Sequence, residues 1–126
     1  IVQILLENGA NVNTESGEYG TALQAASAGG NSNIVLMLLK SKASVNASCG
    51  YFGTALQAAA YWAYKDIFQI LLDHGADFNI QGGHYGNALQ AASARGCSYI
   101  VKQLLEKGAD PLVRGGKYGT ALEAAS

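Results

Sequence analysis

From Gly20 to Asn46 the sequence reads GTALQAASAGGNSNIVLMLLKSKASVN. Its second half places Ile34, Val35, Leu38 and Leu39 at offsets of one, four and five, which puts them on one stripe of a helix. Its first half, Thr21 to Ala28, is Ala-rich around Leu23. Such residues form helix readily and carry little bulk, so this shorter helix can approach its neighbours closely. Thr21 stands where a side-chain oxygen caps the free amides of the short helix. The stretch is a helix pair with a small-residue layer and a large-residue layer.

Working outward, Ile1, Ile34, Ile67 and Ile100 superpose the whole chain on itself at a period of 33 residues with no gap. The long-helix registers are IVQILLENGANVN, IVLMLLKSKASVN, IFQILLDHGADFN and IVKQLLEKGADPL. GTALQAAS, GTALQAAA, GNALQAAS and GTALEAAS supply the short helices, capped by Thr21, Thr54, Asn87 and Thr120. Gly9, Gly75 and Gly108 follow the long helix where a left-handed residue ends it, and Lys42 takes that place in one unit, so that end should be strained or rearranged. Between units, Val12 to Gly20 contains Asn13, Gly17 and Gly20, turn residues suited to a projecting hairpin. The expected organisation is one array: a partial repeat at 1–13, full repeats at 14–46, 47–79 and 80–112, and a partial repeat at 113–126. The chain opens inside a long helix and stops inside a short one, which reads as a cut from a longer array whose uncapped ends invite end-to-end self-association.

Composition narrows the function classes. Eight Lys plus Arg against nine Asp plus Glu leave a formal net charge of -1, so nucleic acid and anionic membrane are not the expected partners. Apolar runs are short, which argues against a membrane span or signal peptide. Cys49 and Cys97 stand far apart, unlike a secreted disulfide framework, and suit a reducing, cytoplasmic setting.

Units of this length, with TALQAAS, an Ile-Val pair opening the next helix, and then LLENGANVN or LLDHGADFN, resemble the ankyrin repeat family over the whole chain. The resemblance implies an all-α solenoid of helix-turn-helix units joined by short β-hairpin loops, used as a protein-binding surface. The chain departs from the family pattern in two repeated ways. The usual TPLH reads TALQ, and the usual Gly two residues before the Thr has become Tyr19, Phe52, Tyr85 and Tyr118, with glycine one place later at Gly20, Gly53, Gly86 and Gly119. This GxYGTALQAAS style is similar to ankyrin arrays of large signalling NTPases of filamentous fungi, relatives of NOD-like receptors.

No catalytic constellation accompanies the repeat, because His74 and His84 fall at different phases and no nucleophile stands at a supportive spacing. The string Gly115 to Thr120 mimics a phosphate loop, but Tyr118 follows Lys117 where the motif wants Ser or Thr. Cys49, Cys97, His74 and His84 lack the paired short spacing of metal ligands, so neither enzyme activity nor a metal or cofactor is expected. Tyr19, Phe52, Tyr85 and Tyr118 recur in every unit and read as packing residues. Partner contacts belong where the copies differ, at the hairpin tips: Glu15 and Glu18, then Ser48 and Tyr51, then Gln81 and His84, then Arg114 and Lys117. These tips run from acidic to basic, which would orient a partner lying along the stack. The unit from 47 to 79 adds Tyr61 and Trp62 where the unit before carries the small Ala28 and Gly29. These two either fill the gap between adjacent loops or anchor a partner as binding hot spots. The alternative function is a spacer or self-association element that positions other domains.

Overall fold

The computed structural model of the chain describes residues 20–116 and 119. Gly9, Glu15, Glu18, Tyr19, Lys117, Tyr118, Thr120 and both chain ends, on which some of the expectations above rest, lie outside the described residues. The described residues form six α-helices: α1 (Ala22–Ala28), α2 (Ser32–Lys40), α3 (Ala55–Trp62), α4 (Lys65–Asp73), α5 (Ala88–Arg95) and α6 (Ser98–Glu106). They are three helix pairs, α1 with α2, α3 with α4 and α5 with α6, stacked through their short members so that α3 packs between α1 and α5. The expected all-α solenoid is the observed architecture.

Alanine explains how tightly the short helices stack. In α3, the residues from Ala55 to Ala60 are all buried, and Ala58, Ala59 and Ala60 have no exposed surface at all. A fully buried layer of methyl groups lets the backbones approach on both sides, and Leu23, Leu56 and Leu89 fill the space each pair leaves. The long helices close the core from behind with Val35 and Leu38, Ile67, Phe68 and Leu71, and Ile100 and Leu104. Their apolar residues recur at helical spacing and face one way, as their sequence stripe requires.

Each short helix starts on a capping box. Thr21, Thr54 and Asn87 accept from the backbone amides of Gln24, Gln57 and Gln90 at 3.3, 3.2 and 2.9 Å. The glutamine side chains return the bond, accepting from the cap backbone N–H at 2.6, 2.6 and 2.8 Å. Two orphan donors at each helix start are thereby satisfied. The other end of each amide reaches into the next unit. Gln24 Nε2 donates to the carbonyls of Ala47 (3.2 Å), Cys49 (2.7 Å) and Gly53; Gln57 Nε2 to those of Gly82 (3.0 Å) and Gly86; Gln90 Nε2 to those of Val113 (3.1 Å), Gly115 (3.0 Å) and Gly119. A buried glutamine therefore ties every described short helix to the following hairpin.

The hairpins are reduced to one antiparallel bridge each: Cys49 with Gly53, Gly82 with Gly86, and Gly115 with Gly119. They lie flat on one another, and Gly83 shows why the sequence there is fixed. Its φ is 69°, and a Cβ would strike the backbone of Phe52 and Gly53. Gly116 repeats the arrangement against Tyr85 and Gly86. The end of α2 shows what becomes of the Lys42 position noted in the sequence, and α3 ends in the same way. Lys42 holds φ 68° and Ala63 holds φ 61°, so both keep the left-handed geometry of their glycine counterparts and carry its strain instead of rearranging the chain.

Candidate functional site

The places of Tyr61 and Trp62 are held by Ala28 and Gly29 in the unit before and by Ala94 and Arg95 in the unit after. Two aromatic rings thus stand at the end of α3 beside the small Ala28 and Gly29 places of the unit before, and hairpin aromatics from two units meet them. Tyr61 stacks on Tyr85 with centroids 4.5 Å apart, lies 5.3 Å from Phe52 and meets Trp62 edge-on at 5.0 Å. Tyr51 stacks on the His84 imidazole at 4.9 Å and touches Phe52 edge-on at 5.0 Å. His84 meets Tyr85 edge-on at 4.7 Å, and its backbone N–H donates to the Tyr51 carbonyl at 2.7 Å, which holds the two hairpins in register. Six rings thus form one continuous cluster across two units, in the offset and edge-to-face geometries aromatic pairs favour.

The cluster has a buried base and an exposed rim. Phe52 is buried, Tyr61, His84 and Tyr85 are half-buried, and Tyr51 and Trp62 retain 37% and 39% of their surface exposed. Burial first, and then the neighbouring Tyr61 and Tyr51 hydroxyls, push the Tyr85 phenol above its ordinary value, so the base of the cluster is neutral at physiological pH. On the rim, the Arg95 guanidinium lies over both Tyr61 and Trp62, at 5.0 and 5.3 Å from their centroids. This is cation–π geometry, and the cation sits at the surface.

Among the described residues, charge is segregated by element. The described stretches that build the hairpins and short helices, 20–31, 47–64, 80–97 and 113–116, contain Arg95 and Arg114 and no Asp, Glu or Lys. The described acids, Asp66, Asp73, Asp77, Glu106 and Asp110, belong to the long helices or the turns that follow them. Lys40, Lys42, Lys65, Lys102 and Lys107 do too.

Of the residues singled out in the sequence, the structure brings Tyr51, Tyr61, Trp62 and His84 into this cluster. Ser48, Gln81 and Arg114 occupy one place in successive hairpins and are exposed, forming a separate polar edge, with the Ser48 hydroxyl against Gly82 and the Gln81 amide against Gly115. Phe52 and Tyr85, read as packing residues, do pack, and they form the floor on which the exposed rings stand. Tyr64 behaves as a gap filler: its ring covers Gly30 of the preceding unit. Arg95 is the residue of the cluster that sequence reasoning misses, although it stands one repeat after Trp62 and stacking neighbours are one period apart. Cys49 and Cys97 are half-buried thiols, the former donating its Sγ–H to Gln24 Oε1 at 3.0 Å. No group of three potential metal ligands occurs among the described residues, and none of their helices is long and apolar enough to cross a membrane.

A family model described as ankyrin repeats (3 copies) matches residues 1–82 and, in a second overlapping match, residues 53–115. No curated protein matches the chain.

Proposed function

Because the chain belongs to the ankyrin repeat family, whose arrays generally serve protein–protein interaction, we propose that it is a non-catalytic scaffold that holds a protein partner on the aromatic rim of Tyr51, Tyr61 and Trp62. The observation that carries this reading is that Trp62 and Tyr51 stay exposed on a cluster the repeat itself does not require. The place of Trp62 is held by Gly29 and Arg95 in the neighbouring units, and that of Tyr51 by Glu18 and His84. Rigid aromatic rings with an already formed floor lose little side-chain entropy on binding, which is the physical basis of aromatic hot spots. Ser48, Gln81, His84 and Arg114, with Glu15, Glu18 and Lys117 from the neighbouring tips, extend the contact surface along the hairpins. The repeat divisions at 13/14, 46/47, 79/80 and 112/113 follow the sequence period. In this reading the chain is the recognition segment of a larger fungal signalling protein of NOD-like type, which the repeated GxYGTALQAAS style supports, and it works in the reducing cytoplasm, which two cysteines kept as thiols suit. Affinity capture from a native extract with the chain and with its Tyr51→Ala and Trp62→Ala variants tests this. A partner retained by the native chain and lost by both variants is the expected result; a partner indifferent to both removes the rim as the binding surface and favours a spacer.

A further inference from the structure

Resting on the reading of the aromatic rim as the binding surface, we propose that its occupant is an acidic peptide segment, with a carboxylate seated on Arg95 and neighbouring apolar side chains laid on Trp62 and Tyr51. Three features of the rim point there. Arg95 is exposed, and its guanidinium lies over the two rings beneath it. A guanidinium resting on ring faces keeps its in-plane N–H fork for another partner, and that fork matches a carboxylate. The described hairpin and short-helix stretches around Arg95 contain no Asp or Glu, while every described acid lies on the long helices and their turns. An incoming carboxylate therefore meets attraction on this side and no like charge within the described hairpins. Finally, the exposed part of Trp62 lies beside that cation and Tyr51 is exposed in the same ring cluster, so apolar residues near the acid bury surface already ordered by Tyr61, Phe52 and His84.

A single-stranded nucleic acid also combines anionic charge with stacking, but it is recognised by a basic groove that follows many phosphates. Two arginines in the described hairpin and short-helix stretches and a net charge of -1 do not make such a groove. The peptide is the better match to one cation flanked by apolar rings.

The test pans a displayed library of random peptides against the whole chain, then titrates the synthesised winners by fluorescence. Trp62 is the only tryptophan, so its emission reports occupancy of the rim directly. Winners should be enriched in Asp or Glu beside Leu, Ile or Phe. Labelled peptide should bind Arg95→Gln about tenfold or more weakly than the native chain, and added salt should weaken native binding. Arg95→Glu should shift the selection towards Lys and Arg. Arg95 is exposed, and matching thermal melts of native and variant chains establish that loss of binding is not loss of fold. Winners without acids, winners held equally by Arg95→Gln, or an oligothymidylate probe that binds where acidic peptides fail would each overturn the proposal. If such winners are still lost with Tyr51→Ala, the rim remains a protein-binding surface and only its acidic preference falls. If no peptide depends on Tyr51 or Trp62, both readings fall together.

Discussion

Replacing Gln57 by Ala removes the side chain that joins the second described unit to the third. Gln57 is 2% exposed, so water cannot take over its bonds. The Thr54 backbone N–H loses its 2.6 Å acceptor, and the Gly82 carbonyl loses the 3.0 Å donor it receives from Nε2. The Gly86 carbonyl also loses an amide donor but keeps the Gly82 N–H at 2.9 Å, so it is not orphaned. One buried and one half-buried backbone group left without these partners cost up to about 1–3 kcal/mol each, which places Gln57→Ala at about 2–6 kcal/mol of destabilisation before the cavity is considered. Gln57→Glu keeps the shape and replaces the donor with an oxygen facing two carbonyl oxygens, so it should cost at least as much. Equilibrium urea unfolding of the three proteins measures the difference at constant slope. A cost for Gln57→Ala below about 0.5 kcal/mol would refute the reasoning, because the hairpin would then be held without the amide.

Three further outcomes follow from the geometry. Lys42→Gly and Ala63→Gly relieve left-handed backbones at φ 68° and 61°, and each should stabilise the chain by about 1 kcal/mol in the same urea assay. The Tyr85 phenol has a raised pKa in the folded chain, so its contribution is intact below the unfolded tyrosine value of about 10 and is lost as pH climbs beyond it. The melting temperature should therefore fall in the alkaline range, and the fall should be shallower in Tyr85→Phe, which has no phenolic proton to lose. Phe52→Ala empties the buried floor of the aromatic cluster and should cost about 3–5 kcal/mol, read by thermal or denaturant melts.

The helix pairs, their caps and the strained helix ends were legible because each signal occurs in several copies, and Thr21, Thr54 and Asn87 cap as their positions require. Lys42 shows the same thing from the other side, since a residue out of pattern at a glycine place retains the left-handed geometry of that place. The glutamines were harder to read. Their capping is local, but their reach into the next hairpin depends on a stacking distance that no linear spacing states. The aromatic site was legible only in part for a similar reason. Sorting repeating from non-repeating residues separates Phe52 and Tyr85 from Tyr61 and Trp62, whereas stacking places all four in one cluster. Arg95 is the sharpest case: it is one period from Trp62, and the cation–π contact follows from adjacency of the units.

The claim that the rim binds and the floor packs is tested most directly by measuring Trp62→Ala twice, once for stability and once for retention of the captured partner. Trp62 is 39% exposed and rests edge-on against Tyr61 and Phe52, so the fold should lose about 1–2 kcal/mol, short of the about 3–5 kcal/mol of a fully buried Trp. Partner affinity should fall by about 2 kcal/mol or more, a factor of roughly 30, in a chain that still unfolds cooperatively. Unchanged affinity with a stability loss as large as that of Phe52→Ala would contradict the account and make Trp62 part of the core.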